Sequence, residues 1–308
     1  MVMYEVTVMN TMTTISPKYQ KRIIELCDQV NWDYRVLNFV KEPVGGTNTS
    51  FFVSYKDEGY VLRIASNNSY FLRIDRKAEA SATKIASDNR IGLQLYFFNE
   101  QNGDMITRFS SGHLPTVNEL KEIKNLDKLV AQLKKLHSNH IEHIFEPTTD
   151  IERRANRISE FQILRNRKAY IRAMELYIAI KDKFPPYEPK YWGLCHNDPS
   201  NFNMLLGEDL KLIDYEFAGM GNVFYDVACI CGLWNEKEQI HFLNRYFGSA
   251  KKIYFEYIKY YTILELIWNG TWAYIKDLEE NLIAINYLDW ADEQFGLALN
   301  LGYANGLL

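Results

Sequence analysis

The residues with the clearest chemical potential lie in the segment 193–217, which reads GLCHNDPSNFNMLLGEDLKLIDYEF. Within it, His196, Asp198 and Asn203 have the spacing H-x-D-x(4)-N, and Asp214 follows eleven residues after Asn203. This layout is typical of phosphoryl transfer, where one carboxylate holds the acceptor hydroxyl while an amide and a second carboxylate hold magnesium beside the phosphates. The segment therefore predicts a phosphotransferase site.

Each of these residues suits one role in that chemistry. Mg2+ prefers oxygen ligands, usually one or two carboxylates plus substrate phosphates, so Asn203 and Asp214 are the candidate metal ligands. Asp214 follows a short predicted strand at 210–213, and the end of a strand holds a carboxylate firmly. Asp198 is predicted to orient the attacking hydroxyl and accept its proton late, because the loose transition state depends more on positioning than on basicity. His196 is expected to brace the loop.

Each residue also has an ordinary structural explanation, because Asp and Asn are favoured in turns. A hairpin over 204–213 with acids at its ends would need no chemistry. The complete set, in which the H-x-D-x(4)-N spacing precedes an apolar hairpin and the sequence IDYE, is much harder to obtain by chance. We therefore favour the catalytic interpretation for the set as a whole.

The composition is that of one large or two coupled globular domains, since 47% of the 308 residues are apolar and 24% are charged. A formal net charge of -4, with no long basic run, argues against a nucleic-acid partner. Because neither an apolar stretch of about 18 residues nor a signal-peptide pattern is visible, no membrane partner is expected. The four cysteines form no C-x-x-C pair, which favours reduced thiols and a cytoplasmic location. The sequence leaves open whether the chain is a monomer or a homodimer.

A turn rich in small residues near the N-terminus is the candidate nucleotide-phosphate loop. It lies between predicted strands at 36–40 and 51–55, and a third strand is predicted at 60–65. Glycines let a backbone approach phosphate closely, and the small polar residues after them offer N–H and hydroxyl donors. An ordinary hairpin turn is the open alternative. The candidate residues are Gly45, Gly46, Thr47, Asn48 and Thr49.

The third strand carries a cation, Arg63, on the face opposite Leu62 and Ile64. A charge that faces inward needs a partner, and the predicted helix 76–89 supplies Glu79. We predict an Arg63–Glu79 ion pair beneath the phosphates of the nucleotide, where the planar guanidinium offers both charge and geometry.

The segment after the next predicted hairpin is expected to contact the adenine of the nucleotide. That hairpin joins strands at 93–98 and 105–109 across an Asn-Gly turn. The chain then leaves the sheet, and the backbone near Thr107 and Phe109 is predicted to meet the adenine edge. We place the boundary between a nucleotide-binding lobe and a catalytic, substrate-binding lobe at Phe109. The predicted lobes are residues 1–109 and 110–308.

Beyond this boundary the pattern turns helical. Apolar residues recur at steps of three and four over 120–136, and further helices are predicted at 151–181, 223–234 and 236–302. One predicted helix end carries histidines at every third position, which invites a metal-site interpretation. Because Ser138 and Asn139 should break their shared face, the sequence favours a solvated helix terminus instead. These histidines are His137, His140 and His143.

Four blocks of sequence carry a family resemblance that extends over residues 36–296. They are VGGTNTSF at 44–51, YVLRI at 60–64 with DRKAE at 75–79, HNDPSNFNML at 196–205, and IDYEFAGMGNVFYDVA at 213–228. Through them the chain resembles the choline/ethanolamine kinase family, and within it the bacterial lic-type choline kinases. That family lies in the wider aminoglycoside-phosphotransferase-like and protein-kinase-like superfamily.

The resemblance implies an α+β, two-lobed protein-kinase-like fold with a small antiparallel-sheet N-lobe and a large, mainly helical C-lobe. It also implies ATP- and Mg2+-dependent phosphorylation of the hydroxyl of choline, which gives phosphocholine and ADP. Ethanolamine, an aminoglycoside and a thiamine-like alcohol are alternative acceptors. A nucleotide-binding module without catalysis is a further alternative, although it would need a missing catalytic group and none is missing.

By position, the resemblance makes Asp198 the catalytic base and makes Asn203 and Asp214 the magnesium ligands. Glu216 is implied to lie near the metal or the amine, and Asp226 is implied to brace the site. The choice of acceptor then rests on residues further along the chain.

The same resemblance implies an aromatic pocket for the ammonium group of the substrate. A trimethylammonium group cannot donate hydrogen bonds and is attracted to aromatic faces, by about 0.5 to 2 kcal/mol for each ring. A carboxylate from Glu216 or Glu265 can balance its charge. Because Trp and Tyr at helical spacing are usually core residues, we expect about half of the Trp and Tyr candidates to contact ligand. The candidates are Phe217, Trp234, Trp268, Trp272, Tyr287 and Trp290.

Overall fold

The chain folds into a small antiparallel sheet followed by a mainly helical part that carries two short strand pairs. This arrangement confirms the predicted α+β class. Gly45, Gly46 and Thr47, from the predicted phosphate loop, lie outside the described residues. The computed structural model describes residues 15–44, 48–66, 72–279 and 286–308 of the 308-residue chain.

Antiparallel pairing builds the N-terminal sheet. Its strands are β1 (Asn38–Val44), β2 (Thr49–Tyr55), β3 (Glu58–Ile64), β4 (Leu95–Phe98) and β5 (Met105–Arg108), in the spatial order β1–β2–β3–β5–β4. Buried and partly exposed residues alternate along β2, so Phe51, Val53 and Tyr55 face one side. The first helix, α1 (Pro17–Gln29), joins Ile23 to this apolar cluster. The sheet ends at Arg108, and the lobe boundary at Phe109 stays a prediction.

The helix α2 (Arg76–Asp88) connects β3 to β4. It begins after Asp75, whose carboxylate accepts hydrogen bonds from the amides of Lys77 and Ala78 at 3.0 Å. This N-cap satisfies helical N–H groups that have no partner within the helix. The cap fixes the first turn and therefore the position of the buried Glu79.

The remainder packs around one large apolar core. Its helices are α3 (Val117–Lys121), α4 (Ile123–His137), α5 (Pro147–Ser159), α6 (Gln162–Arg165), α7 (Lys168–Ile180), α8 (Phe224–Cys231), α9 (Glu236–Phe247), α10 (Lys252–Glu279) and α11 (Tyr287–Ala304). The long helix α10 packs against α5, α7, α8 and α11, which makes it the central element of this part. Among the described residues, none of the helices combines the length and apolar character needed to cross a membrane.

Two short antiparallel pairs carry the segment 193–217. The first joins β6 (Trp192–Cys195) to β9 (Gly219–Asn222), and the second joins β7 (Met204–Leu206) to β8 (Leu210–Leu212). The loop between β6 and β7 and the residues after β8 therefore emerge close together, and both contain candidate catalytic residues.

Three predicted helical segments are interrupted. The segment 120–136 spans α3 and α4, because Glu122 has an extended backbone with ψ of 134°. The segment 151–181 is divided into α5, α6 and α7, with Phe161 extended between the first two. The run 236–302 forms α9, α10 and α11. Helical periodicity did not reveal these breaks because the successive helices bury their apolar faces in the same core.

Candidate active site

A buried carboxylate, Asp226, fixes the loop that carries the candidate catalytic residues. Its Oδ2 accepts a hydrogen bond from the backbone amide of His196, and its Oδ1 accepts one from the amide of Asn197, both at 2.8 Å. Asp226 lies in the first turn of α8 and is fully buried. Hydrogen bonds to an ionised carboxylate belong to the stronger, charge-assisted class. This geometry suits the bracing role that the family resemblance implied.

His137 completes a buried network behind this carboxylate. Its Nε2 lies 2.9 Å from Asp226 Oδ2, and its Nδ1 contacts Tyr246 Oη. His137, Cys195 and Asp226 offer ligand atoms within 4.8 Å of one another, but the histidine and the carboxylate already use theirs in hydrogen bonds. The expectation of a solvated helix terminus is wrong at His137, which is 9% exposed because its ring turns inward, whereas His140 is exposed.

His196 links the catalytic loop to the residue that precedes Asp214. Its Nε2 lies 2.9 Å from the carbonyl oxygen of Ile213 and must donate to it. Burial lowers the pKa of this imidazole, which favours a neutral ring with its proton on Nε2. His196 therefore braces two parts of the site, as the sequence predicts.

Asp198 and Asn203 are held against each other. The side-chain nitrogen of Asn203 donates to Asp198 Oδ2 at 2.7 Å and to the Asp198 carbonyl oxygen at 3.0 Å. Because that nitrogen is engaged, the side-chain oxygen of Asn203 is the atom that can coordinate a cation. Burial, and then the negative charge of Asp214, raise the pKa of Asp198 to about 7. The charge of the Asp214 carboxylate therefore acts on the Asp198 carboxylate.

The predicted Arg63–Glu79 ion pair is confirmed. Arg63 is 4% exposed, and its Nη2 also donates to the Gly103 carbonyl oxygen at 3.0 Å. Its Nη1 donates to Asp214 Oδ1 at 2.8 Å. Burial alone would lower the pKa of Arg63, but the charges of Glu79, Asp214 and Glu216 outweigh burial and raise it. The guanidinium thus connects β3 and α2 to a candidate metal ligand.

Asn48, from the predicted phosphate loop, contacts the acidic residues of the site. Its Nδ2 lies 2.9 Å from Glu216 Oε2 and 3.4 Å from Asp214 Oδ1. These contacts were not predictable from the sequence, because nothing in the spacing signals a bond between residues 168 positions apart. The neighbouring Thr49 starts β2, and its hydroxyl lies 3.1 Å from Tyr19 Oη. Asn48 therefore ties the first hairpin to the acidic groups.

The chemistry of these groups fits Mg2+. Asp214 offers a carboxylate that is 32% exposed, and Asn203 offers an amide oxygen. Hard oxygen donors that leave room for phosphates and water are those that Mg2+ prefers. Burial and the charge of Asp214 raise the pKa of Glu216, which indicates an excess of negative charge that a divalent cation would relieve.

The predicted adenine segment is partly engaged in the sheet. Thr107 is buried in β5, where it pairs with Val61 and Leu95. Phe109 is 53% exposed, and its amide donates to the Gly59 carbonyl oxygen at 3.0 Å. Because this amide is used by the fold, Phe109 can offer a base only its carbonyl oxygen and its ring.

Two of the candidate substrate aromatics, Phe217 and Trp268, contact each other edge to face with ring centroids 4.8 Å apart. Trp268 Nε1 donates to Asp150 Oδ2 at 3.3 Å, and the Arg154 guanidinium lies 4.1 Å from the indole centroid. The sequence gives no signal for Asp150 and Arg154 as neighbours of Trp268, because two charged residues four positions apart on a helix are common. Phe217 directly follows Glu216 in the chain, so this aromatic pair lies one residue from a candidate acidic residue.

Trp272, Tyr287 and Trp290 form a second aromatic group between α10 and α11. The centroid of the Trp272 ring lies 5.9 Å from those of both Tyr287 and Trp290. An internal cation, Lys276, has its Nζ 5.7 Å from the Trp272 centroid. The ring contacts of the candidates on α10 thus form two groups, one at Trp268 and one at Trp272.

Trp234 has different neighbours from the other candidates. Its ring packs edge to face on Phe242 with centroids 6.1 Å apart, and Lys121 Nζ lies 5.3 Å from its centroid. Trp234 is buried, as are Phe217, Trp268 and Tyr287, so its neighbours rather than its burial distinguish it. These contacts favour core packing, which was the structural alternative for each of the aromatic candidates.

Known proteins resemble this chain in sequence and in fold. Residues 41–231 match the family model for choline/ethanolamine kinase. Choline kinase LicA from Streptococcus pneumoniae is 18% identical, with 93% of this chain and 99% of that chain covered and a TM-score of 0.76. An ethanolamine kinase from Plasmodium vivax is 17% identical, with coverages of 92% and 89% and a TM-score of 0.71. No curated protein sequence matches the chain.

A more distant solved structure has a similar fold. Spectinomycin phosphotransferase APH(9)-Ia is 15% identical, with 94% of this chain and 98% of that chain covered and a TM-score of 0.60. At these identities the solved structures establish a shared kinase-like fold. The family model spans well over half of the chain and includes Asp198, Asn203 and Asp214. The chain therefore belongs to the choline/ethanolamine kinase family and is a small-molecule phosphotransferase with an alcohol group as acceptor.

Proposed function

We propose that the enzyme transfers the terminal phosphate of ATP to the hydroxyl of choline, which gives phosphocholine and ADP. The observation that carries this proposal is the hydrogen bond from Asn203 to Asp198, together with the effect of the Asp214 charge on the pKa of Asp198. One carboxylate can orient an alcohol there, while an amide oxygen and a second carboxylate suit a divalent cation.

In the proposed reaction, Asp198 accepts a hydrogen bond from the choline hydroxyl and aims its oxygen at the terminal phosphate. Asn203 holds Asp198 Oδ2 at 2.7 Å, so the carboxylate has a fixed orientation toward the alcohol. The new P–O bond forms as the bond to the ADP oxygen breaks, and Asp198 takes the hydroxyl proton. Positioning contributes more than basicity, because the transition state needs little early deprotonation.

Asn203 and Asp214 are the residues that we assign to Mg2+. When bound, Mg2+ neutralises charge on the phosphates during transfer. Arg63 orients the Asp214 carboxylate through its 2.8 Å contact, and Glu79 in turn orients Arg63. Because Arg63 contacts Oδ1 of Asp214, the Oδ2 atom of Asp214 would be available to the cation.

Nucleotide complexes of similar structures support ATP as the phosphate donor. LicA was solved with AMP, and spectinomycin phosphotransferase was solved with ADP and spectinomycin. We assign the nucleotide of this chain to the space between the N-terminal sheet and the acidic residues. Asn48 and Thr49 would then lie on the side of its phosphates, and the segment near Phe109 would lie on the side of its base. We keep the proposed lobe boundary at Phe109.

Choline is the acceptor that we favour, because aromatic residues accompany two acidic residues, Glu216 and Glu265, along the chain. Phe217 directly follows Glu216 and contacts Trp268, which lies three positions after Glu265. Trp272 contacts Tyr287 and Trp290. Aromatic faces attract quaternary ammonium groups that no hydrogen bond can hold. Ethanolamine is the second candidate, because the partly exposed carboxylate of Glu265 can accept hydrogen bonds from a primary ammonium.

We also propose that the enzyme works in the cytoplasm. Its four cysteines are free, and three of them are buried. A reducing compartment keeps such thiols free, and the proposed reaction consumes ATP.

A turnover assay with a panel of acceptors tests the proposed function. The purified protein is incubated with ATP, with Mg2+ or a chelator, and with choline, ethanolamine or spectinomycin. We expect ADP formation with choline that stops when Mg2+ is chelated. Turnover of spectinomycin without turnover of either amino alcohol would contradict the proposed acceptor class.

A further inference from the structure

The turn between β4 and β5 lies against the ion pair that orients Asp214. Gly103, in this turn, accepts a hydrogen bond from Arg63 Nη2 at 3.0 Å through its carbonyl oxygen. Glu79 contacts the same nitrogen, so the turn and the helix α2 hold one atom of Arg63 between them. The other terminal nitrogen of Arg63, Nη1, donates to Asp214. The position of the turn therefore bears on how the guanidinium meets the candidate metal ligand.

The turn also reaches this ion pair by a second route. Gly103 has a backbone φ of 80°, in the region that favours glycine, and a Cβ atom there would lie 2.5 Å from Arg76 Nε. Arg76 Nη1 donates in turn to Glu79 Oε2 at 2.6 Å. A displaced turn would therefore move Arg76 as well as Arg63, and both arginines hold Glu79.

A buried carboxylate, that of Asp104, fixes the turn. Asp104 is 2% exposed, and its Oδ1 accepts a hydrogen bond from the backbone amide of Ala65 at 2.9 Å. Its Oδ2 accepts one from the side chain of Asn102 at 3.0 Å, within the turn itself. A buried charge needs a partner of opposite sign. Arg22 of α1 is such a partner, and it contacts both oxygens of the Asp104 carboxylate.

Arg22 also joins the N-terminal helix to the end of β3. Its Nη1 donates to the carbonyl oxygen of Ala65, the residue whose amide donates to Asp104. The next amide along the chain, that of Ser66, donates to Asn48 Oδ1 at 3.2 Å. The pair of Arg22 and Asp104 therefore fixes the end of β3, which is the strand that carries the arginine of the ion pair.

We propose that Asp104 is a positioning residue for phosphoryl transfer. Held by Arg22, it keeps the Gly103 carbonyl oxygen against Arg63, and the guanidinium then meets the Asp214 carboxylate in a fixed direction. The inference rests on the proposed magnesium role of Asp214 and is independent of the choice of acceptor. The helix α1, which precedes all four sequence blocks of the family resemblance, thereby contributes to the transfer step. Because a misplacement of about 1 Å can slow catalysis about a hundredfold, a small displacement of the turn is sufficient.

A double-mutant cycle with Asp104→Asn and Arg63→Lys tests this inference. Asparagine keeps the shape of the side chain at position 104 but loses the charge that Arg22 contacts. We expect Asp104→Asn alone to lower kcat about tenfold and to leave the KM for the acceptor unchanged, because the turn lies on the Arg63 side of the site. In the Arg63→Lys background a single ammonium has already replaced the guanidinium fork. There the same substitution should change kcat by less than about twofold, since the group through which Asp104 acts is gone.

Equal reductions of kcat in the two backgrounds would show that Asp104 acts only on the stability of the fold, and they would overturn the inference. A folded Asp104→Asn protein with the wild-type kcat would overturn it as well. Glu25→Gln is the matched control, because it neutralises an exposed acid that pairs with Lys21 on α1, and it should keep the wild-type constants. If Asp104→Asn does not fold, Arg22→Lys takes its place in the cycle under the same criteria, since lysine keeps the charge but cannot contact both carboxylate oxygens as a fork.

A binding measurement separates this inference from the proposed function. If the wild-type chain phosphorylates neither choline nor ethanolamine, or if Arg63→Lys is too slow to measure, calorimetry with the non-hydrolysable ATP analogue AMP-PNP replaces kcat. The wild type should bind the analogue at least about tenfold more tightly with Mg2+ than without it, and Asp104→Asn should reduce this gain by about threefold or more. An unchanged gain in Asp104→Asn, or no gain in the wild type, overturns the inference.

Discussion

Asp214 and Asn197 both have a backbone φ of 65°, in the left-handed region that residues other than glycine seldom adopt. Neighbouring contacts hold each of them there. The Asn197 amide donates to Asp226, and the Asp214 carboxylate accepts from Arg63. Strained conformations of this kind persist where the surrounding structure fixes them, and they concentrate at functional sites. Here they turn the chain directly before Asp198 and at the candidate metal ligand itself.

Asp214→Asn is expected to lower kcat at least about a hundredfold, because an amide cannot supply the negative charge that a divalent cation needs beside the phosphates. The apparent affinity for Mg2+ should fall as well. Initial rates measured over a range of Mg2+ concentrations test both effects. Asp209→Asn, at an exposed position between β7 and β8, is the matched control and should behave as the wild type. Unchanged magnesium dependence in Asp214→Asn would contradict the metal assignment.

Sequence patterns predicted some residue contacts and could not predict others. The Arg63–Glu79 pair was predictable, because strand alternation turns the cation inward and the next helix supplies an acid. The contact of Asn48 with Glu216 was not, since it depends on how distant segments pack. The inward orientation of His137 likewise depends on the packing of a helix end.

At the scale of elements, the first turn of α8 anchors the catalytic loop. Asp226→Asn keeps the size of the side chain but removes the charge that two backbone amides and His137 contact. We expect the free energy of unfolding to fall by about 3 kcal/mol or more, as for other broken buried charge networks. Urea unfolding measures this loss. Glu236→Gln, at an exposed position in the first turn of α9, is the control. Equal stability of Asp226→Asn and the wild type would contradict the anchoring role.

The helices α5 and α10 are joined at Trp268 by a buried arginine. Arg154 Nη1 donates to the Trp268 carbonyl oxygen at 3.2 Å, and its guanidinium covers the indole. Arg154→Met keeps an apolar stem of similar length but loses both contacts, so the ring should lose its fixed orientation. We expect the KM for choline to rise about threefold to tenfold, the scale of one cation–aromatic contact. Steady-state kinetics with each substrate varied in turn should show an unchanged KM for ATP, and an unchanged KM for choline would contradict the prediction.

The existence of most elements was predictable from periodicity, whereas their interruptions were not. The breaks at Glu122 and Phe161 leave apolar residues in phase with a common core, so the pattern continues across them. The division of the aromatic candidates has a similar cause. Trp272 and Trp234 have the same side-chain chemistry. Tertiary packing alone decides that Trp272 contacts Trp290 of α11 and that Trp234 contacts Phe242.

At the scale of the whole molecule, the candidate site forms where the N-terminal sheet meets the helical part. Arg63 comes from β3, Asp214 follows β8, and Glu265 comes from the middle of α10. The fold class was predictable because each motif is local in sequence, and the catalytic roles of Asp198, Asn203 and Asp214 stay predictions. The surroundings of Trp268 were not predictable, because tertiary packing alone brings Asp150 and Arg154 to its ring.

The central claim is that this site transfers a phosphoryl group to an amino alcohol through the alignment provided by Asp198. Phosphorus NMR of a mixture of protein, ATP, Mg2+ and choline follows both products directly. The account predicts that phosphocholine and ADP appear together with the wild type, and at least about a hundredfold more slowly with Asp198→Asn. Formation of phosphocholine at the wild-type rate by a correctly folded Asp198→Asn protein would contradict the account.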